Sequence, residues 1–97
     1  MEFKQVSTEL SEANEERPIS QAVLDWLKAQ GDKTAQTKSG MKVSTRYWSK
    51  NDAERLYVNA RGTYAFYIDL KTGQRIWGGD FLFKYFHEIM EALWQNV

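Results

Sequence analysis

The chain has 97 residues, of which 42% are hydrophobic, and its 13 cations balance its 13 carboxylates to a formal net charge of zero. This length supports one domain with one core. The absence of cysteine excludes a disulfide framework and thiolate chemistry, and it indicates a reducing compartment. The N-terminus lacks a signal-peptide pattern and no apolar run is long enough to span a bilayer, so we expect a cytoplasmic protein with no membrane partner.

The charge is unevenly distributed along the chain. Residues 1–17 hold five glutamates against two cations, whereas residues 33–75 hold nine cations against three carboxylates. This asymmetry predicts an acidic segment beside a basic centre. The three large apolar residues of the acidic segment have helical spacing, so the segment is either a helix that docks through one face or a mobile N-terminal tail. Residues 18–97 are expected to form a single domain.

The first clear helix signal follows the acidic segment. Ser20 is a suitable N-cap, the apolar residues that follow it share one helical face, and Gly31 can close the helix. The pattern predicts an amphipathic helix over about residues 20–30. The polar stretch GDKTAQTKSG, residues 31–40, is expected to be a loop.

The centre of the chain alternates between apolar and polar residues, as β-strands do. Strands are predicted within residues 41–50, 55–61, 63–69 and 74–79, and the short turns between them indicate an antiparallel meander of three to four strands. The alternation also predicts which side chains face the core. These are Leu56, Val58, Phe66, Ile68 and Ile76, and the same alternation places Tyr64 on the side of Phe66 and Ile68.

The last element is a helix expected to begin after Asp80 and to present a broad apolar arc. A helix of this kind must lie across a sheet. The order α-β-β-β(-β)-α therefore predicts an α+β fold, a two-layer sandwich in which the C-terminal helix packs on the sheet.

The triplet Asp69-Leu70-Lys71 has two interpretations. A metal-dependent nuclease uses an aspartate to hold a divalent ion and a lysine to stabilise developing charge. However, DLKTG is also a hairpin turn, in which the Asp side chain accepts backbone hydrogen bonds and Gly supplies a left-handed position. The turn interpretation is favoured because the chain must reverse at this point.

Other catalytic patterns are incomplete. The stretch HEIME resembles the zinc-protease pattern H-E-x-x-H, but Glu91 stands where the second histidine is required and the chain has a single His. Neither a nucleophile elbow nor a glycine-rich phosphate loop is present. We therefore predict no catalytic residue, no metal ligand and no cofactor, and a non-enzymatic binding module.

The polar side of the predicted sheet carries the strongest functional signal. Cations attract phosphates, aromatic rings stack on bases, and an Asn can read a base edge, so this side predicts binding to DNA or RNA. Two other interpretations remain open: the N-terminal helix covers this side, or its rings and Arg side chains stack on one another. The predicted contact residues are Lys42, Arg46, Trp48, Tyr57, Asn59, Arg61, Tyr67, Arg75 and Trp77.

The stretch LYVNARGTYAFYIDLKTGQRIWGG, followed by an amphipathic helix, resembles the small sheet-plus-helix DNA-binding domains at the N-termini of some phage integrases. The resemblance covers about residues 55–97 and consists of the L-Y-V strand, a Gly turn, an aromatic-rich strand, D-x-x-T-G and a Gly before the helix. In that family the sheet enters the major groove of DNA. The resemblance implies DNA contacts from Tyr57, Asn59, Arg61, Tyr67 and Arg75.

A protein partner is the alternative. Arg, Tyr and Trp are the residue types that anchor protein interfaces, so the same side of the sheet could serve an inhibitor, an adaptor or a homodimer. The apolar C-terminal helix could also seat a partner, unless all of its apolar surface belongs to the core.

Overall fold

The computed structural model describes residues 2–78 and 85–95, which form three helices and a five-stranded antiparallel sheet. This confirms the predicted α+β class, with the C-terminal helix packed on the sheet and one strand more than expected. In chain order the elements are α1 (Phe3–Glu12), α2 (Gln21–Ala29), β1 (Thr34–Gln36), β2 (Lys42–Lys50), β3 (Ala53–Ala60), β4 (Thr63–Asp69), β5 (Arg75–Trp77) and α3 (Phe86–Gln95).

The strands lie in the sheet in the order in which they occur in the chain, β1-β2-β3-β4-β5, and each pairs antiparallel with the next. Asn51 and Asp52 connect β2 to β3 with φ values of 51° and 67°. Arg61 and Gly62 connect β3 to β4 with φ values of 56° and 78°. Two-residue turns with both residues left-handed match the twist of the strands, so they fix the register of the three long strands.

Strand β1 lies inside residues 31–40, which the sequence predicted to be a loop, and that prediction was wrong. Its three residues pair with Lys42, Val43 and Ser44 of β2, and the amide of Thr45 donates to the carbonyl of Lys33 over 2.9 Å. The strand is too short and too polar to show alternation, because two of its three side chains are exposed.

Residues 1–17 were expected to be either a docked helix or a mobile tail, and the structure shows the docked helix α1. Its Val6 and Leu10 are buried in the core. Glu9 accepts hydrogen bonds from the Ser20 amide at 2.7 Å and the Ser20 hydroxyl at 2.9 Å. Ser20 in turn caps α2 by accepting from the amide of Val23, as predicted. Helix α1 is therefore fastened to the start of α2.

All three helices contribute to one core on one side of the sheet. The buried residues of α3 include Ile89, Met90 and Leu93, and α2 contributes Val23 and Leu27. The apolar face of α3 is therefore core throughout the part of this helix that the structure describes. Asp80, predicted to cap this helix, lies outside the described residues.

A β-bulge interrupts the alternation of β4. Val58 pairs with Phe66, but the next residue, Asn59, pairs with Tyr64, so Ala65 is an extra residue. Ala65 and Phe66 are consequently both buried, whereas Tyr64 turns to the opposite side of the sheet and is 42% exposed. The sequence placed Tyr64 on the core side, and this was wrong because an unbroken alternation was assumed.

Strand β5 faces the opposite way from the sequence prediction. Arg75 pairs with Ile68 and Trp77 pairs with Phe66, and directly paired residues share a side of the sheet. Arg75 and Trp77 therefore lie on the helix side, with Ile76 on the other side at 37% exposure. The prediction that Ile76 faces the core was wrong, because the register of the β4–β5 hairpin, rather than hydrophobicity, decides the facing of so short a strand.

Candidate functional site

The side of the sheet that faces away from the core is called the open face here. Buried residues from all three described helices join the core on the other side. The strand register places these residues on the open face: Lys42, Ser44, Arg46, Trp48, Lys50, Arg55, Tyr57, Asn59, Tyr64, Tyr67, Asp69 and Ile76.

Aromatic rings occupy the centre of the open face. Tyr57 on β3 is surrounded by three rings, whose centroids lie 5.2 Å away for Tyr67, 6.0 Å for Tyr64 and 6.3 Å for Trp48. The Trp48 ring meets Tyr57 edge-on, and the other two are tilted by 44° and 51°. These offsets are the favourable geometries for aromatic pairs, so the rings support one another on the sheet.

Arg55 ties these rings together. Its Cζ lies 5.0 Å from the centre of the Trp48 ring and 4.5 Å from that of Tyr67, which is cation–π distance. Its Nη1 donates a hydrogen bond to the Tyr57 hydroxyl over 2.9 Å, and this bond raises the pKa of Arg55. We refer to Trp48, Arg55, Tyr57, Tyr64 and Tyr67 together as the ring cluster.

Two members of the ring cluster were absent from the predicted contact residues. Arg55 had a signal in the sequence, since it stands two residues before Tyr57 and strand alternation places both on one side. Tyr64 had none, because the bulge at Ala65 is what moves it to the open face.

Six of the predicted contact residues share the open face, and three do not. Arg61 lies in the β3–β4 turn, with its Cζ 5.5 Å from the centre of the Tyr85 ring. Arg75 and Trp77 were predicted to belong to this surface but lie on the helix side. The six that the open face brings together are Lys42, Arg46, Trp48, Tyr57, Asn59 and Tyr67.

Arg75 has structural contacts on the helix side. Its Nη1 donates to the carbonyl of Leu10 over 2.8 Å, and its Cζ lies 4.9 Å from the centre of the Phe86 ring. Leu10 is in the last turn of α1, where carbonyls lack helical partners and cations are favoured, and α1 has no basic residue of its own there. Desolvation lowers the pKa of Arg75, but a guanidinium stays charged in proteins.

Trp77 is half-buried and packs against the core. Its ring lies 5.2 Å from that of Phe66 and 5.8 Å from that of Phe86, in steep edge-on contacts. Phe66 and Phe86 are themselves buried. Trp77 therefore closes the core beside α3 rather than contributing to the open face.

Asp69 organises a turn. Its side chain accepts a hydrogen bond from the amide of Lys71 over 2.8 Å, and its carbonyl accepts from the amide of Gly73 over 2.7 Å. Gly73 has a φ of 81°, which favours glycine. These contacts support the hairpin interpretation of Asp69-Leu70-Lys71. Within residues 2–78 and 85–95, no group of three or more His, Cys, Asp or Glu side chains is placed to hold a metal ion.

The open face is positively charged although the chain is neutral. Its described strand residues carry Lys42, Arg46, Lys50 and Arg55 against the single carboxylate of Asp69. The glutamates of residues 1–17 lie in α1 or in the segments directly beside it, and α1 belongs to the helix layer. The sheet therefore separates a basic surface from an acidic one, and anionic ligands are attracted to the open face.

No helix in the described part of the chain is long and apolar enough to cross a bilayer. Comparisons of the chain with protein-family models, with curated proteins and with solved structures found no match.

Proposed function

We propose that this protein is a non-enzymatic module that binds nucleic acid, DNA or RNA, through the open face. The observation that carries the proposal is the ring cluster, which lies on the three middle strands β2, β3 and β4, contains Arg55 and has three further cations beside it on β2. Rings supply stacking surfaces for bases, and cations supply contacts to phosphates.

The cations flank the ring cluster on one side. Arg46 pairs directly with Tyr57 across β2 and β3, and Lys42 lies farther along β2 with its side chain exposed. A nucleic-acid backbone that follows β2 would contact these two side chains while its bases lie over the rings. Asn59, also exposed, lies beside Tyr64 and offers both a donor and an acceptor to a base edge.

Arg55 adds order to the surface. Its guanidinium is held by two rings and by the Tyr57 hydroxyl, so little side-chain entropy remains to be lost on binding. Its positive charge remains at the surface and adds to the field that attracts phosphates.

The test is fluorescence anisotropy with labelled oligonucleotides of about ten nucleotides, a length that one sheet module can cover. Single-stranded and duplex DNA and RNA are compared at about 50 mM salt, where phosphate contacts are strong. We expect micromolar binding to at least one of the four, weakening steeply as salt is added.

The variants Arg46→Ala and Arg17→Ala form a matched pair. Each removes one positive charge, but Arg46 lies on the open face and Arg17 is exposed in the α1–α2 connection. Arg46→Ala should lower the magnitude of the salt slope by about 0.7–0.9, as expected for one lost phosphate contact, and Arg17→Ala should not. The proposal fails if none of the four oligonucleotides binds at low salt, or if the two variants behave alike.

A protein partner is the second candidate, favoured by one observation. Ile76 is 37% exposed on the open face, where it pairs with Tyr67 beside the ring cluster. An exposed apolar residue beside Arg, Tyr and Trp is typical of the centre of a protein interface. If two copies of the chain meet there, light scattering should show a mass that doubles with concentration, and Ile76→Asp should abolish the doubling. A constant monomer mass would exclude the homodimer.

A further inference from the structure

We infer that the open face takes single-stranded rather than duplex nucleic acid, with Tyr64 as the principal stacking ring. This inference rests on the proposed function and specifies the ligand of the same site. It depends on the width of the sheet around the rings and on which ring remains accessible.

The first observation is the width of the sheet. The ring cluster lies on β2, β3 and β4, with β1 outside β2 and β5 outside β4. One register row, Arg46, Tyr57, Tyr67 and Ile76, crosses four strands, which at about 4.8 Å per strand spans about 14 Å between the outer backbones. The major groove of B-DNA is about 12 Å wide and admits a helix or a two-stranded ribbon.

This width keeps the rings away from the base edges of a duplex. The ring cluster is not at a sheet edge or on a protruding hairpin, so a duplex would rest on the flanking strands with its bases stacked inside it. In a single strand the bases are free to turn outward and lie on a flat surface. The geometry therefore favours single strands, including unpaired loops and ends.

The second observation is the accessibility of the rings. The guanidinium of Arg55 lies over both the Trp48 and the Tyr67 rings, so part of each ring surface is occupied. Tyr57 is half-buried and touches three other rings. Tyr64 is 42% exposed, which leaves its ring the most accessible of those at the site.

The surroundings of Tyr64 suit a nucleotide. Asn59 pairs with Tyr64 on one side, and Ser44 follows on β2 in the same row. On the other side the Tyr64 ring packs against Gly78, where a side chain would collide with the ring. The ring is therefore held from one side, while a base on its free surface lies within reach of polar groups on β2 and β3.

The test compares the same oligonucleotide sequence of about ten nucleotides as a single strand and as a duplex, in DNA and in RNA, using the full chain. We expect the single strand to bind at least about tenfold more tightly than the duplex. Duplex binding that is equal or tighter overturns the inference and leaves the proposed function standing. Binding to neither form overturns the proposed function itself.

A pair of substitutions tests the role of the ring. Tyr64→Phe keeps the stacking surface and should retain single-strand affinity within about twofold, whereas Tyr64→Leu should weaken it about tenfold, as for the loss of one stacked base. Tyr47→Leu is the matched control, because Tyr47 is 37% exposed but pairs with Leu56 on the helix side of β2. Equal affinities for the Phe and Leu variants of Tyr64, with the fold intact by circular dichroism, would overturn the assignment of Tyr64.

Discussion

Both sides of the sheet carry an arginine among aromatic rings, but the two arrangements differ in what they contact. On the helix side, Arg75 lies 4.9 Å from the Phe86 ring and donates to a carbonyl of α1. On the open face, Arg55 lies over the Trp48 and Tyr67 rings, and the hydrogen bond that it donates within the described residues goes to Tyr57 of the same surface. The first arrangement joins two layers of the fold, and the second stays within one.

This difference shows that residue type alone does not assign a role. Arginine and aromatic residues on neighbouring strands can fasten a helix to a sheet or form a contact surface. The deciding factor is whether another layer covers them. The comparison predicts that equivalent substitutions will reduce stability on the helix side and reduce binding on the open face.

The largest expected effect is a difference in stability between variants of Trp77 and of Trp48. Trp77→Ala should lower the free energy of unfolding by about 3 kcal/mol, because it leaves a cavity beside two buried phenylalanine rings. Trp48→Ala on the open face should cost about 1 kcal/mol, since it removes mainly edge contacts between rings. Urea denaturation followed by circular dichroism measures both. Equal losses would break the distinction between the two sides.

An intermediate effect on stability distinguishes Arg75 from Arg55. Arg75→Met keeps much of the apolar stem but removes the hydrogen bond to Leu10, and it should lower the free energy of unfolding by about 1–2 kcal/mol. Arg55→Met should change stability less and nucleic-acid affinity more. Denaturation and anisotropy on the same two preparations give the comparison. An Arg75→Met variant with unchanged stability would show that the α1 contact is dispensable.

The smallest expected effect is on the pH dependence of stability, and it comes from Glu9 in the helix layer. Burial tends to raise the pKa of Glu9, but hydrogen bonds from Ser20 and Gln5 outweigh it, and the net pKa is lowered. A carboxyl with a lowered folded-state pKa stabilises the fold above its unfolded pKa of 4.5, and this contribution is lost as the pH falls through the folded value. Glu9→Gln should therefore flatten the loss of stability below about pH 5.

Glu88 contributes to the same loss of stability at low pH. Hydrogen bonds from the side chains of Ser39 and Thr37 lower its pKa, so its contribution has the same sign. Glu9→Gln should remove only part of the acid dependence, and the double variant with Glu88→Gln should remove more. Denaturation midpoints measured from pH 7 to pH 3 provide the check. If the double variant loses as much stability at low pH as the original chain does, the role of both carboxylates is contradicted.

Much of the fold could be predicted because its signals are local. Ser20 and the apolar spacing after it indicate α2. Alternation along β3 places Tyr57 on the other side of the sheet from its buried neighbour Val58. Strand β1 was missed because three residues with exposed ends carry too little pattern. The facing of β5 was missed because an apolar residue in a short edge strand can be exposed, as Ile76 is, and hydrophobicity does not guarantee burial.

The candidate site shows the same division. Tyr57 and Tyr67 were predicted correctly to share a side, since each alternates with buried residues on its own strand. Tyr64 could not be placed from sequence because its position depends on how β4 pairs with β3. Pairing is a property of two strands rather than of one, and Ala65, the extra residue, has nothing unusual in its chemistry to mark it.

The bulge has a consequence for how this surface could change over time. Ala65 is the one extra residue between Tyr64 and Phe66, so the alternation of β4 depends here on the number of residues as well as on their identity. Deleting Ala65 would restore an unbroken alternation in which Tyr64 still pairs with Asn59 on the open face and Thr63 still pairs with Ala60. A single-codon deletion could therefore remove the bulge and the extra local twist that it brings, while the exposed side chains of this surface keep their side of the sheet.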